Sequence, residues 1–273
     1  MQQVLVNILI HLLYFIGAVF LIGFAIHGLN KLFYRISGAR MWFQYATGII
    51  GTPIHELSHA LACVVFGHKI KEMKLFQIDR KSRTLGYVTH TYNRKNLYHV
   101  IGNYFIGVAP ILVGTLFLCL MMKLLLPSAF AGFAVHLREF PALQTEGFSF
   151  AWILEALDVF LGAVKSLFSS VSVGWQFWVF LVLALCVSFH MSLSGPDIKS
   201  ALSALPLLLL LLAAVHAILF WIPGGIYGAF VYGLNTAGGY LIGMLLLSLM
   251  LAVFAVVLAF VFDILLRLFR IRR

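Results

Sequence analysis

The chain has 273 residues, 62% of them hydrophobic, and only 19 Lys+Arg and 9 Asp+Glu carry formal charge, whereas a soluble domain gives roughly a quarter of its residues to charge. That composition excludes a soluble enzyme, a secreted disulfide scaffold and a disordered tail, and leaves an integral membrane protein. In such a protein a formal net charge of +10 reports which loops face the cytoplasm, so no nucleic-acid partner is expected.

The first apolar run, Val4 to Leu29, has neither a strong basic start nor a small-residue cleavage site, and reads as a retained span. A second run from Met41 to about His68 follows a short basic loop, and a third runs from Leu97 to Leu126. Between them, residues 70–92 hold two extended-looking pieces joined by the polar turn Asp79 to Arg83, the pattern of a β-hairpin. After Pro127 the chain is mixed; over 151–169 Glu155, Asp158, Lys165 and Ser169 recur on one helical face opposite Trp152, Leu157, Phe160 and Leu161. An interfacial amphipathic helix is expected there. Two spans follow, Val171 to Leu193 and Ile198 to Trp221, and a Gly-rich break (PGGIYGAF, then NTAGG) precedes a last span from about Tyr240 to Leu266. Cys63, Cys119 and Cys186 each sit inside an apolar run, far apart, so they read as small core residues and offer neither disulfides nor a cysteine zinc cluster.

The expected fold is therefore an all-α polytopic membrane protein of about six transmembrane helices, with a membrane-associated β-hairpin after the second, forming a single integral membrane domain over 1–273 with no soluble domain and no internal repeat. With six spans, 13 of the 19 basic residues fall on the side that holds the hairpin and both termini. By the positive-inside rule that side is cytoplasmic, and the expected location is the cell membrane.

The chemistry gathers in the second span as His55-Glu56-Leu57-Ser58-His59. Residues four apart share a helix face, so both imidazoles can grip one zinc ion while Glu56 reaches the water bound to it. Ionisable groups inside an apolar span cost several kcal/mol unless paired or metal-bound, which argues against incidental histidines. Two histidines and a water leave tetrahedral zinc one protein ligand short. Asp197, in Ser194-Gly195-Pro196-Asp197 where two spans meet, is the leading candidate, although it also suits the first turn of a helix capped by Ser194. His190 is the reserve.

These residues resemble the site-2 proteases, a family of intramembrane zinc metalloproteases. The resemblance is carried by the HELSH segment inside a span, the polar hairpin after it, and Gly195-Pro196-Asp197 at a later junction; it covers roughly residues 41–200. Where the family has Asn-Pro-Asp-Gly or Leu-Asp-Gly, this chain has Gly195 before the Pro-Asp pair and Ile198 after it. Gly107-Val108-Ala109-Pro110 looks like a weak form of the family's Gly-Pro motif, and neither a PDZ-like nor a CBS-like domain is expected. The resemblance implies Zn2+ on His55, His59 and Asp197, with Glu56 as general base and acid in hydrolysing peptide bonds of membrane-embedded or membrane-anchored substrates. The implied partners are such a substrate and bilayer lipid; a regulatory membrane partner or a homodimer stays open. Two other classes remain at this point: a membrane-embedded prenyl-protein-type zinc endopeptidase, which takes its third ligand from a Glu, and a non-enzymatic metal-binding membrane protein or transporter.

Overall fold

The computed structural model describes residues 2–36, 42–78, 84–139, 158, 161, 162, 164–167, 169 and 174–268. Helix α1 (Gln2–Leu12) passes through a π-helical turn (Leu13–Gly17) into α2 (Ala18–Ile36), and α3 (Trp42–Val65) carries the HELSH segment. A hairpin of β1 (Lys69–Lys74) and β2 (Tyr87–Thr91) follows, then α4 (Leu97–Leu125), α5 (Pro127–Glu139), α6 (Trp175–His190), α7 (Gly195–Phe220) and α8 (Ile226–Leu268). Among the described residues, five helical stretches are long and apolar enough to cross a membrane: Gln2–Phe33, Trp42–Val65, Leu97–Leu125, Gly195–Phe220 and Ile226–Leu265. The sixth expected span is α6, an apolar helix of 16 residues, about 24 Å long at 1.5 Å per residue and short of a roughly 30 Å hydrocarbon core. The fold is all-α and polytopic, with one small two-stranded sheet.

The expected break at Asn235 to Gly239 does not exist: α8 starts at Ile226, right after Gly224 and Gly225 turn the chain at φ +96° and +77°. Gly238 instead lies inside the helix, where a Cβ would stand 2.5 Å from the Tyr14 ring. Here glycine admits a neighbouring side chain while the helix keeps its own hydrogen bonds, as spans in lipid must. The segment after Pro127 also differs from expectation in its first part, since α5 opens on that proline, whose missing N–H has no helical partner at such a position anyway. Most of the expected interfacial helix, 151–169, lies outside the described residues.

Two compact units can be separated. One comprises Met1–Leu21, Phe117–Phe180 and Leu205–Leu247. Within it His11 bonds His216 at 2.9 Å and Asn235 at 3.0 Å, and His216 continues to the Tyr227 hydroxyl at 3.2 Å, a polar chain linking three apolar helices. The other unit, Ile22–Leu116, Leu181–Ala204 and Ser248–Arg273, holds every residue of the HELSH and Asp197 segments. Its aromatic core sets Phe33 edge-on to Phe189, with Phe43, Leu185 and Val256 around them.

Helix α3 shows why this unit suits a membrane. Its buried face is the polar one, carrying Thr47, Thr52, Glu56, Ser58 and His59, whereas Leu57, Leu61, Val64 and Val65 are exposed. Lipid tolerates those aliphatic side chains and penalises unpaired polar groups, so the usual arrangement is inverted. The helix ends at Gly67, left-handed at φ +70°, with the His68 N–H returning to the Cys63 carbonyl at 2.8 Å. That is a Schellman closure, and it turns the chain directly into β1. The hairpin is antiparallel, pairing Lys69 with Thr91 and Lys74 with Tyr87 around an irregularity between Ile70 and Glu72. The strands are shorter than the sequence implies, and the turn, residues 79–83, lies outside the described residues.

Candidate metal centre

His55 and His59 occupy successive turns of α3, and each ring is held at its Nδ1 by a backbone carbonyl. His55 Nδ1 donates to the His190 carbonyl at 2.7 Å, and His59 Nδ1 donates to the Ile106 carbonyl at 2.8 Å. A carbonyl can only accept, so both protons sit on Nδ1 and both Nε2 atoms present bare lone pairs. These Nε2 atoms are 3.2 Å apart, and Asp197 Oδ1 stands 3.3 Å from that of His59. Lone pairs and a carboxylate oxygen converge with no ring proton between them. The spacing matches the roughly 3.3 Å edge of a tetrahedron of ligands about 2.05 Å from zinc, and carbonyl acceptors behind the rings are the usual support of metal-ligating imidazoles.

Close helix approaches place these groups. At Gly51 a Cβ would lie 2.3 Å from the Cys186 carbonyl oxygen and 2.6 Å from the His190 ring, so only glycine lets α6 come near enough for its last residue to receive His55. At Gly107 a Cβ would lie 2.4 Å from the Asp197 carbonyl oxygen, so the start of α7 rests directly on α4. Ser200 adds a hydroxyl bond to the Asn103 carbonyl at 3.1 Å. Gly107 belongs to the Gly-Pro segment noted in the sequence, and its role here is steric.

Asp197 also caps α7. The Ser194 N–H donates to Asp197 Oδ2 at 2.8 Å, while the Asp197 N–H reaches Ser194 Oγ at 3.4 Å, the reciprocal arrangement of a capping box. The helix-start and site-facing readings of this aspartate therefore hold together, one for each oxygen. His190 occupies a different place. Thr47 gives its hydroxyl proton to the Phe43 carbonyl at 2.8 Å, so its oxygen accepts from His190 Nε2 at 3.0 Å, and Thr52 lies 3.4 Å from His190 Nδ1. Both ring nitrogens are engaged away from the His55–His59–Asp197 group, and His190 contributes its carbonyl instead.

Glu56 is buried at 6% exposure and borders two cavities. The smaller, about 270 Å³, is lined by Asn30, Gln44, Thr52, His55, His190 and Ser192 among others. The larger, about 500 Å³, is bounded by His55, Glu56 and His59, by Thr84 and the run Gly86 to His90 along the second half of the hairpin, and by Pro196, Asp197 and Ser200. Gly86 presses on the acid: a Cβ there would meet Glu56 Cγ at 2.7 Å and the Lys74 carbonyl oxygen at 2.9 Å.

A second group of metal-competent side chains lies beyond His59. Cys63, His68 and His90 each offer one ligand atom, all within 4.8 Å of one another. The sequence reading set Cys63 aside as a core residue, and it is indeed fully buried; the overlooked signal is its position four residues after His59 and eight after His55, on the same helix face. Outside the spans, burial holds the His68 and His90 pKa values below the ordinary histidine value. Comparison with protein-family models, with curated proteins and with solved structures finds no match.

Proposed function

We propose that this chain is an intramembrane zinc metalloprotease of the site-2 protease type, acting on membrane-embedded or membrane-anchored substrates. The observation that carries the reading is the convergence of His55 Nε2, His59 Nε2 and Asp197 Oδ1, with Glu56 beside them at a cavity that a β-strand borders. Bound by these three atoms, zinc would lower the pKa of a water towards about 7 and polarise the scissile carbonyl. Glu56 then accepts the water's proton and returns it to the leaving amine, the role open to a carboxylate one position from the chelate. His190 and Ile106 keep the imidazole tautomers fixed through their carbonyls. Ser194 holds Asp197 Oδ2 so that Oδ1 alone faces the histidines.

Substrate needs help of another kind. A transmembrane helix hides its carbonyls, and unwinding it at membrane depth frees polar groups that must find partners. In this reading β2 supplies them along its free edge, and the hairpin and both termini face the cytoplasm. The test is the Glu56→Gln protein, reconstituted in vesicles with membrane-anchored reporters. Turnover should fall by roughly 10²–10⁴-fold, zinc content should stay near wild type, and uncleaved substrate should be retained for identification by mass spectrometry. His55→Ala and His59→Ala should each lose the metal. Zinc flux that persists without Glu56, with no cleavage in any variant, would replace the protease reading with a transporter.

A further inference from the structure

Helix α3 carries its metal-competent residues beyond the HELSH segment. Cys63 follows His59 by one turn and is fully buried. The Schellman closure ties the His68 N–H to the Cys63 carbonyl at 2.8 Å, so cap geometry rather than chance brings the two residues together. His68 Nε2 donates to the His99 carbonyl at 2.9 Å, an acceptor that fixes the proton on that nitrogen and leaves Nδ1 bare. The bare Nδ1 faces His90 Nδ1 at 3.0 Å, and the Tyr92 ring stacks on His68 at a 4.8 Å centroid distance.

We propose that Cys63, His68 and His90 form a second metal site, which takes a zinc-class divalent ion through Cys63 Sγ and the two Nδ1 atoms and clamps β2 to the carboxyl end of α3. One thiolate with two imidazoles is a donor set for zinc, and the thiol proton leaves to solvent on binding. A tetrahedral ion needs about 3.3 Å between nitrogens and roughly 3.6 Å between nitrogen and sulfur; the present spread is within 4.8 Å, so binding draws the three atoms together by about an ångström. Three protein ligands leave the fourth position to water. His68 already has the carbonyl support that ligating histidines use. The elements joined are those that border the larger cavity, since His59 and His90 both line it. An ion here therefore sets where the β2 edge lies relative to Glu56.

Cobalt(II) distinguishes this site from the first one, because a thiolate-to-cobalt charge-transfer band requires sulfur and His55, His59 and Asp197 offer none. The full chain with His55→Ala and His59→Ala together, stripped of metal and kept reduced in detergent, should bind one equivalent of cobalt and show that band. Adding Cys63→Ser or His90→Gln should abolish it. His90 is half-buried on the hairpin, so its variant decides the matter if the Cys63 variant does not fold; size-exclusion profile and helical circular dichroism identify folded protein. Zinc added to the double-alanine protein should also slow hydrogen exchange at the Tyr87–Thr91 amides, and the His90→Gln addition should remove that protection. Absence of the band in the double-alanine protein, its survival in folded Cys63→Ser or His90→Gln protein, or zinc binding that leaves hairpin exchange unchanged would each overturn the proposal. None of these readouts depends on hydrolysis, so the protease reading stands or falls separately.

Discussion

The two oxygens of the Asp197 carboxylate have different partners: Oδ2 accepts the Ser194 N–H, and Oδ1 faces His59 Nε2 at 3.3 Å. This division allows ligation to be separated from capping. Asn in place of Asp retains an oxygen for the Ser194 N–H, so Asp197→Asn should keep the cap, worth about 1 kcal/mol, and leave the melting temperature nearly unchanged. It removes the negative charge, however, and zinc affinity should fall by at least about 100-fold, more than the 10- to 100-fold typical of supporting residues. Equilibrium dialysis at several zinc concentrations measures this. An unchanged affinity would reduce Asp197 to a helix-start acid. At this scale the sequence was legible where chemistry is written in spacing: His55 and His59 lie on one face of successive helix turns with Glu56 beside them, a relation that helix geometry alone fixes. The Ile106 and His190 carbonyls were not legible, because a backbone acceptor has no residue type. Where each carbonyl lies is set by tertiary packing, as in the close approach of α6 to Gly51 that brings up His190.

At the scale of elements, the hairpin is where the proposed mechanism is most exposed to test. Strand β2 pairs with β1 on one side, and among the described residues no third strand covers its other edge. A substrate strand bound there would use main-chain hydrogen bonds, which tolerate side-chain changes but not loss of an N–H. Proline at alternate positions from Val88 to Thr91 should reduce cleavage by roughly tenfold or more at the positions whose N–H points outward, and alanine at the same positions should do little; a lost hydrogen bond of about 1 to 1.5 kcal/mol sets that scale. Equal effects of proline and alanine would leave the hairpin as a connection. The hairpin was visible in the sequence as two extended pieces around a polar turn, yet its strand limits were not. The Gly-rich stretch ahead of Tyr240 misled for a related reason: glycine breaks helices in water, but in lipid the helix retains its bonds and uses the missing side chain for packing.

For the molecule as a whole, orientation rests on the unequal division of Lys and Arg among the loops. Cysteines introduced near Arg83 and at the carboxyl terminus should resist a membrane-impermeant thiol reagent in intact cells, and one near Glu146 should react. Labelling near Arg83 from outside would reverse the topology and the side from which water and substrate enter. The sequence predicts six crossings, and α6 shows why composition alone blurs the count: an apolar helix of sixteen residues is too short to span an average bilayer unassisted. The α6–α7 junction carries Asp197 to 3.3 Å from His59, roughly two turns inside α3.

Glu56 stands at the border of two chambers, and hydrolysis consumes one water for every bond cut. In the proposed mechanism a peptide laid along β2 would fill the larger chamber and stopper a site that had no other opening; the smaller one, about 270 Å³ and lined by Asn30, Gln44 and Ser192, would remain for water. Asn30 Oδ1 and Gln44 Oε1 are buried there without a hydrogen-bond partner among the described residues, and such acceptors suit passing water. Gln44→Leu should therefore starve the reaction without weakening substrate capture, lowering kcat severalfold while KM and zinc content hold, and a change confined to KM would show that the chamber serves the substrate instead. If the proposed hydrolysis takes place here, replenishment from behind the scissile bond would let the protein keep its substrate clamped through a full catalytic cycle.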